Sequence, residues 1–202
     1  MIPVAEKERR PWRKIAVDLT GPSHALNGNI LLTIIDLYSR YPEVYVVKDG
    51  SSGEVIDKLK DVFCRWGVPE YLLSDNGRTF VSAEFENFLE RCNVVHLKSS
   101  VYFPQSNGGI ERFHSTLKSR LKRLRSEHPR VHLQQLIWKV LLDVRSSPNE
   151  VTGETPFFRM TGRNMVIPLQ AVKTIVEPPH VKEVRRDITK SYAQRNSSRL
   201  RN

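Results

Sequence analysis

Apolar positions cluster in three short runs near the start of the chain and then recur at helical spacing. Lys14 to Leu19 predicts a first strand. The Asn27-Gly28-Asn29 turn predicts that Ile30 to Asp36 returns as a second, antiparallel strand, and Glu43 to Val47 after Pro42 predicts a third. Val55, Ile56, Leu59, Val62 and Phe63 fall on one helical face, opened by Ser51 or Ser52 and ended by Gly67 and Pro69. Tyr71 to Ser74 predicts a fourth strand, Ser82 caps a second helix with Phe85, Phe88 and Leu89 inward, and Val94 to Leu97 predicts a fifth strand. A loop from Ser99 to Gly109 follows, and a long basic helix is expected to begin near Gly108. Glycine leaves such a loop free to close over a substrate. Leu133, Leu136, Ile137, Val140, Leu141 and Val144 form a further apolar series, which either fills the core or offers a surface to a second copy. Pro178-Pro179 marks a boundary before a basic terminal helix, Val181 to about Arg195. This order predicts a mixed α/β fold.

Three carboxylates stand out against that pattern. Asp18 follows the β-prone run Ile15-Ala16-Val17, where a charge is costly unless it is paired or binds a metal. Asp75 follows the fourth strand and precedes the turn pair Asn76-Gly77, while Glu111 follows Ser106-Asn107-Gly108-Gly109 and opens the basic helix. Taken singly, each has an ordinary explanation: a strand-end aspartate facing water, a turn aspartate, an acid favoured by the helix dipole. Together they supply hard oxygen ligands for Mg²⁺ or Mn²⁺. Two such ions activate a nucleophile and stabilise the leaving oxygen in phosphoryl transfer. Asp36, before a turn, is expected to be structural or to sit behind the site. On a helix, Ser115 and Lys118 share the face of Glu111, whereas Arg112 and His114 are expected to project elsewhere.

The motifs around these acids resemble the catalytic core of retroviral and LTR-retrotransposon integrases, the gypsy-type elements most of all. The resemblance runs from about residue 11 to 165. It rests on Pro11-Trp12, Val17-Asp18-Leu19-Thr20-Gly21-Pro22 and Ile34-Ile35-Asp36-Leu37-Tyr38-Ser39-Arg40-Tyr41-Pro42-Glu43. It continues through Gly67-Val68-Pro69-Glu70, Ser74-Asp75-Asn76-Gly77 with Phe80, Tyr102-Phe103-Pro104-Gln105-Ser106-Asn107-Gly108, Glu111-Arg112, and Thr152-Gly153-Glu154-Thr155-Pro156-Phe157 with Gly162-Arg163. Phe103 departs from the histidine usual in gypsy-type sequences. The family's zinc module and a full carboxy-terminal DNA-binding domain are missing, which suits a fragment, a truncated gene or a host-adopted remnant.

The resemblance implies an RNase H-like fold, a mixed five-stranded sheet flanked by helices, over residues 12–165. A charged segment, 1–11, precedes it and a basic linker and helix, 166–202, follows. It implies DNA integration: a two-metal enzyme that trims element DNA ends and joins their 3′-hydroxyls to target DNA. Asp18, Asp75 and Glu111 would be catalytic and hold two Mg²⁺ or Mn²⁺ ions. Tyr102, Gln105, Asn107, Ser115, Lys118, Lys122 and Arg125 would contact DNA, and the chain would work as a homodimer or higher oligomer in the nucleus. A catalytically silent, host-adopted nucleic-acid-binding module and a lone RNase H-like nuclease are the rival readings.

Composition adds the partner class. The net charge is +10 over 202 residues, which favours polyanions. Seven Lys or Arg lie between Arg112 and Arg130 against the single acid Glu127, and seven more lie between Lys182 and Arg201. No apolar run approaches the roughly 18 residues of a membrane span. The start of the chain lacks a hydrophobic signal segment, so an intracellular location and no membrane partner are expected. Cys64 and Cys92 suit a reducing compartment, and His128 and His132, split by Pro129, are expected to be surface histidines rather than zinc ligands.

Overall fold

The computed structural model describes residues 10–22, 26, 28–98 and 104–167, with backbone alone for 104–109. The chain divides into two compact units, Met1–Met165 and Val166–Asn202. The expected terminal helix lies outside the described residues, as does Tyr102.

Five strands form one sheet in the order β3-β2-β1-β4-β5. β1 (Lys14–Thr20), β2 (Ile30–Asp36) and β3 (Pro42–Val47) are an antiparallel meander, and β4 (Tyr71–Ser74) and β5 (Val95–Lys98) join parallel to β1. α1 (Ser52–Trp66) and α2 (Ala83–Arg91) supply the crossovers, followed by α3 (Pro104–Glu127), α4 (Leu133–Ser146) and α5 (Pro156–Thr161). No helix among the described residues is long and apolar enough to cross a membrane.

Strand side chains alternate between faces, so β1 to β4 each feed two cores. Ile15, Val17, Leu32, Ile34 and Leu72 pack with Val55, Leu59, Val62, Phe85 and Leu89 of α1 and α2. Ala16, Leu31, Ile35 and Leu73 pack on the other side with Phe113, Leu117 and Leu121 of α3 and Leu136, Ile137 and Val140 of α4. The α4 series is therefore core: Leu133, Leu136, Ile137, Val140 and Leu141 are buried and Val144 packs against them. Trp138, 61% exposed, is the large apolar side chain that α4 shows to solvent.

Among the described residues the expected strands and the first two helices are present, with edges moved by a residue or so. Ser82 caps α2 by accepting from the Phe85 N–H at 3.2 Å. Ser51 has the extended backbone of a cap for α1 but makes no side-chain capping bond. One boundary needs correction. α3 begins at Pro104, not near Gly108, so Gly108 and Gly109 lie inside the helix. Proline needs no donor in a first helical turn and its φ is already set, so it starts the helix ahead of the glycines. The proposed closing loop thus loses its second half to helix.

Two further carboxylates are absorbed structurally. Asp36, fully buried, accepts from the Trp12 N–H at 3.0 Å, the Ser39 N–H at 2.8 Å and the Ser39 hydroxyl at 2.5 Å. Glu43 on β3 is buried too, and receives Arg65 Nη1 at 3.2 Å, Trp66 Nε1 at 3.0 Å and Arg145 Nη2 at 2.8 Å. That carboxylate joins α1 and α4 across the sheet edge. Removing it strands Arg145, which is mostly buried, without its counter-charge. Glu43→Ala is expected to lower unfolding free energy by about 3–5 kcal/mol, measured from the urea midpoint, with an exposed control such as Asp57→Ala close to neutral.

Candidate active site

β1 and β4 run parallel, with Ala16 beside Leu73. Extended by two residues, that register leads to Asp18 and, just beyond the end of β4, Asp75, with the parity of Ala16 and Leu73, and the Asp75 charge is felt at Asp18. That parity faces α3, where Glu111 lies one residue after Ile110, which is buried in the same core. Strand, strand end and helix thereby deliver the three acids to one region. Asp18 is half-buried, whereas Asp75 and Glu111 are exposed.

The electrostatics record this convergence. Asp18 is pushed up to about 6, first by burial and then by the Asp75 charge, with Glu111 adding to it. A backbone hydrogen bond from Leu19 and the Lys118 charge oppose the rise. So Asp75, Glu111 and Lys118 are all felt at Asp18. Asp75 is oriented by its turn: Oδ1 accepts from the Gly77 N–H at 2.9 Å. A Cβ at position 77 would sit 2.9 Å from that same oxygen, so glycine leaves room for the carboxylate. Behind the turn, Ser74 Oγ donates to the Asp75 carbonyl at 2.8 Å and lies 2.8 Å from His96 Nε2, whose Nδ1 is 3.1 Å from Glu86.

His114 corrects the expectation that it projects away. It is buried, with Nδ1 3.2 Å from Asp18 Oδ2 and 3.2 Å from Thr20 Oγ1. Burial, reinforced by the Lys118 charge, lowers it to about 4, so at neutral pH it is an uncharged imidazole. The signal was present in the sequence: His114 is three residues after Glu111, a neighbouring position on a helix. Thr33 pairs with Asp18 across the β1–β2 ladder, and its buried hydroxyl has no partner among the described residues; neither has His114 Nε2.

At about 100° per residue, Ser115, Lys118 and Lys122 fall within roughly 40° of Glu111 around α3, and all three are exposed. Arg125 is occupied elsewhere. Its Nη1 donates to the Val131 carbonyl at 2.6 Å and the Pro129 carbonyl at 3.3 Å, tying down the α3–α4 turn. Gln105 and Asn107 lie in the first turn of α3, and their side chains fall outside the described residues. His132 caps α4, accepting from the Gln134 N–H at 3.3 Å.

Among the described residues no three His, Cys, Asp or Glu are gathered closely enough to form a ready metal cage. The donor chemistry nevertheless fits a hard divalent cation. Burial first, and then the Asp75 and Glu111 charges, work against an ionised Asp18, and a cation would offset both.

A five-stranded sheet of this order, with acids on β1, after β4 and on α3, defines an RNase H-like core. Residues 8–104 match the family model described as the integrase core domain, and the chain belongs to that family. An uncharacterized protein of Caenorhabditis elegans is 32% identical over 195 residues, covering 95% of this chain and 15% of that protein. The Gag-Pol polyprotein of feline leukemia virus is 33% identical over 156 residues, covering 76% of this chain and 9% of its own length. The chain thus spans a small part of these relatives. The HTLV-2 integrase catalytic core domain, solved in complex with magnesium, superposes with a TM-score of 0.65 at 22% identity, over 75% of this chain and 97% of that one. A chain of the simian T-cell lymphotropic virus intasome, solved with PP2A regulatory subunit B56 gamma, gives 0.69 at 21% identity, over 85% of this chain and 61% of that one. Those two likenesses establish the fold.

The raised Asp18 makes a prediction that needs no metal. A carboxyl held above its unfolded value favours the folded state only while protonated. Its cost is absent below about pH 4 and builds as pH rises through about 6. Asp18→Asn is therefore expected to stabilise the metal-free protein at pH 7, by up to about 2 kcal/mol after solvent screening. Melting curves at pH 3.5 should show no such gain; equal shifts at both pH values would remove the electrostatic account.

Proposed function

We propose that the chain is the catalytic core of a DNA-integrating enzyme, a metal-dependent polynucleotidyl transferase that trims element DNA ends and joins their 3′-hydroxyls to target DNA. The observation that carries this reading is the convergence of Asp18, Asp75 and Glu111 on one face, felt as mutual repulsion at Asp18. The family match supports it. Asp18, Asp75 and Glu111 hold Mg²⁺ or Mn²⁺, as two ions in the usual arrangement for this chemistry. When bound, such ions lower the pKa of an attacking hydroxyl and neutralise charge developing on the leaving oxygen.

The chain's own residues do the rest. His114 packs its Nδ1 3.2 Å from Asp18 Oδ2, and the Gly77 N–H donates to Asp75, so both carboxylates have fixed neighbours before substrate arrives. Lys118 places a positive charge beside the acids, where it attracts a backbone phosphate that the carboxylates alone would repel. Ser115 and Lys122 extend that face along α3. DNA is the partner, and two strand ends call for two copies of the core; solved relatives occur in dimeric and trimeric forms. The target is chromosomal, which places the work in the nucleus. All three acids are present, and this favours an active enzyme over a silent, host-adopted module.

Asp18→Asn, Asp75→Asn and Glu111→Gln are each expected to abolish Mg²⁺-dependent cleavage and joining of oligonucleotides while circular dichroism stays native. Substantial joining by any one of them would refute the assignment. Lys118→Ala with Lys122→Ala should weaken binding to unrelated DNA sequences alike. It should also reduce the slope of log affinity against log salt by about 0.9 per lost phosphate contact. An unchanged slope puts the DNA surface elsewhere.

A further inference from the structure

On the other flank of Glu111 the helix turns a second face into a cleft of about 380 Å³. The β2–β3 turn contributes Arg40, α3 contributes Arg112, Ser115 and Thr116, and the segment after α4 contributes Ser147 and Asn149. Arg40 is held at a φ of 63°, in the left-handed region that non-glycine residues rarely adopt. Burial works against its charge, and Arg112 and Arg159 repel it; only Asp36 opposes them, and that carboxylate already serves Trp12 and Ser39. Arg159 is itself satisfied, donating to the Tyr38 carbonyl at 3.2 Å and to Glu154 at 3.0 Å. Arg120, also in the lining, pairs with Asp143. The guanidinium groups of Arg40 and Arg112 make no hydrogen bond or ion pair with any described residue. Glu150 stands at the lining too, exposed and without an ion pair among the described residues. Arg40, half-buried, and Arg112, exposed, thus bring two like charges to one concavity beside the Ser115 hydroxyl, and no described carboxylate, Glu150 included, closes on either guanidinium.

We propose that this cleft seats a phosphate of the DNA backbone, gripped between Arg40 and Arg112, next to the strand that lies across the acids. Guanidinium forks match phosphate oxygens two at a time, and the exposed Ser115 hydroxyl can donate to an oxygen left over, whereas Thr116 already donates to the Arg112 carbonyl at 3.0 Å and Ser147 to Asp143 at 3.4 Å. DNA is the source because Ser115 belongs to both faces. It lines the cleft and also stands one helical turn after Glu111, so a strand held along Lys118 and Ser115 leads into the cleft. The proposal rests on the integrase reading. It adds a positioning seat that the three acids and Lys118 do not provide.

The test compares wild type, Arg40→Gln with Arg112→Gln, and Lys118→Ala, all as the full chain. In phosphate-free buffer the double variant is expected to melt at or above the wild-type temperature, because it removes a repulsion. A marked fall would make the arginines structural and overturn the proposal. On duplex DNA of unrelated sequences the double variant should lose several-fold in affinity, and its salt slope should drop by about 0.9 for each arginine engaged. An unchanged slope in the double variant, with a reduced slope in Lys118→Ala, overturns the cleft but leaves the integrase reading standing. No salt-dependent DNA binding by wild type overturns both. Inorganic phosphate serves as the second probe. If it stabilises wild type but not the double variant while DNA slopes coincide, the cleft takes free phosphate and the DNA assignment fails.

Discussion

The parallel pairing of β1 with β4 is the constraint on which this molecule turns. Ala16 beside Leu73 fixes not only a register but a parity, and parity decides which face each later side chain joins. A slip of one residue would send Asp18 into the apolar core under α1 and α2 and bring Val17 out beneath α3. The two hydrophobic cores prevent that slip. Ile15, Val17 and Leu72 are committed to one side, and Ala16 and Leu73 to the other. Packing and chemistry are thus specified by the same alternation. The core keeps the acids in line, although no acid contributes to the core.

Three carboxylates set in or beside buried strands meet three fates, decided by their donors. Asp36 has a backbone and hydroxyl cage, and Glu43 has two guanidinium groups and an indole N–H. Both are satisfied within the fold. Asp18 has a backbone hydrogen bond and one neutral imidazole set against two neighbouring negative charges. It is the strand carboxylate left wanting a cation, and that shortfall separates a site from a strut. The same contrast holds among the arginines. Arg145 and Arg159 are fully engaged, whereas Arg40 and Arg112 are not.

Much of this was legible in the chain. The α1 stripe, the Ser82 cap and the order of the acids follow from spacing that local physics enforces. The start of α3 was not legible, because glycine pairs and helix-starting proline give opposing signals and the helix here forms through the glycines. The role of the α4 series was undecided for a different reason. Periodicity says that one face of a helix is apolar, not what covers it, and the cover is α3 and the sheet. His114 and Arg125 show the limit of reasoning about faces alone. His114 lies at the margin of the Glu111 face yet turns inward to Asp18, while Arg125 shares the basic stripe yet bends back to the turn after its own helix.

The Glu43 junction has a consequence for how copies of the chain can meet. β3 is one border of the sheet, and a bare border strand invites another chain to extend the ladder. Here Arg65 from α1 and Arg145 from α4 reach the same β3 carboxylate from either side, and Arg145 also bonds the Pro42 carbonyl at 2.8 Å. Proline at the first position removes one donor from the strand as well. The opposite border, β5, has four residues, with Val95 exposed and Lys98 paired to Glu86 at 2.6 Å. With one margin clasped and the other cut short, the sheet resists growth by strand addition. Any contact between copies would therefore have to use surfaces other than these two borders, and a sheet built this way does not template its own extension.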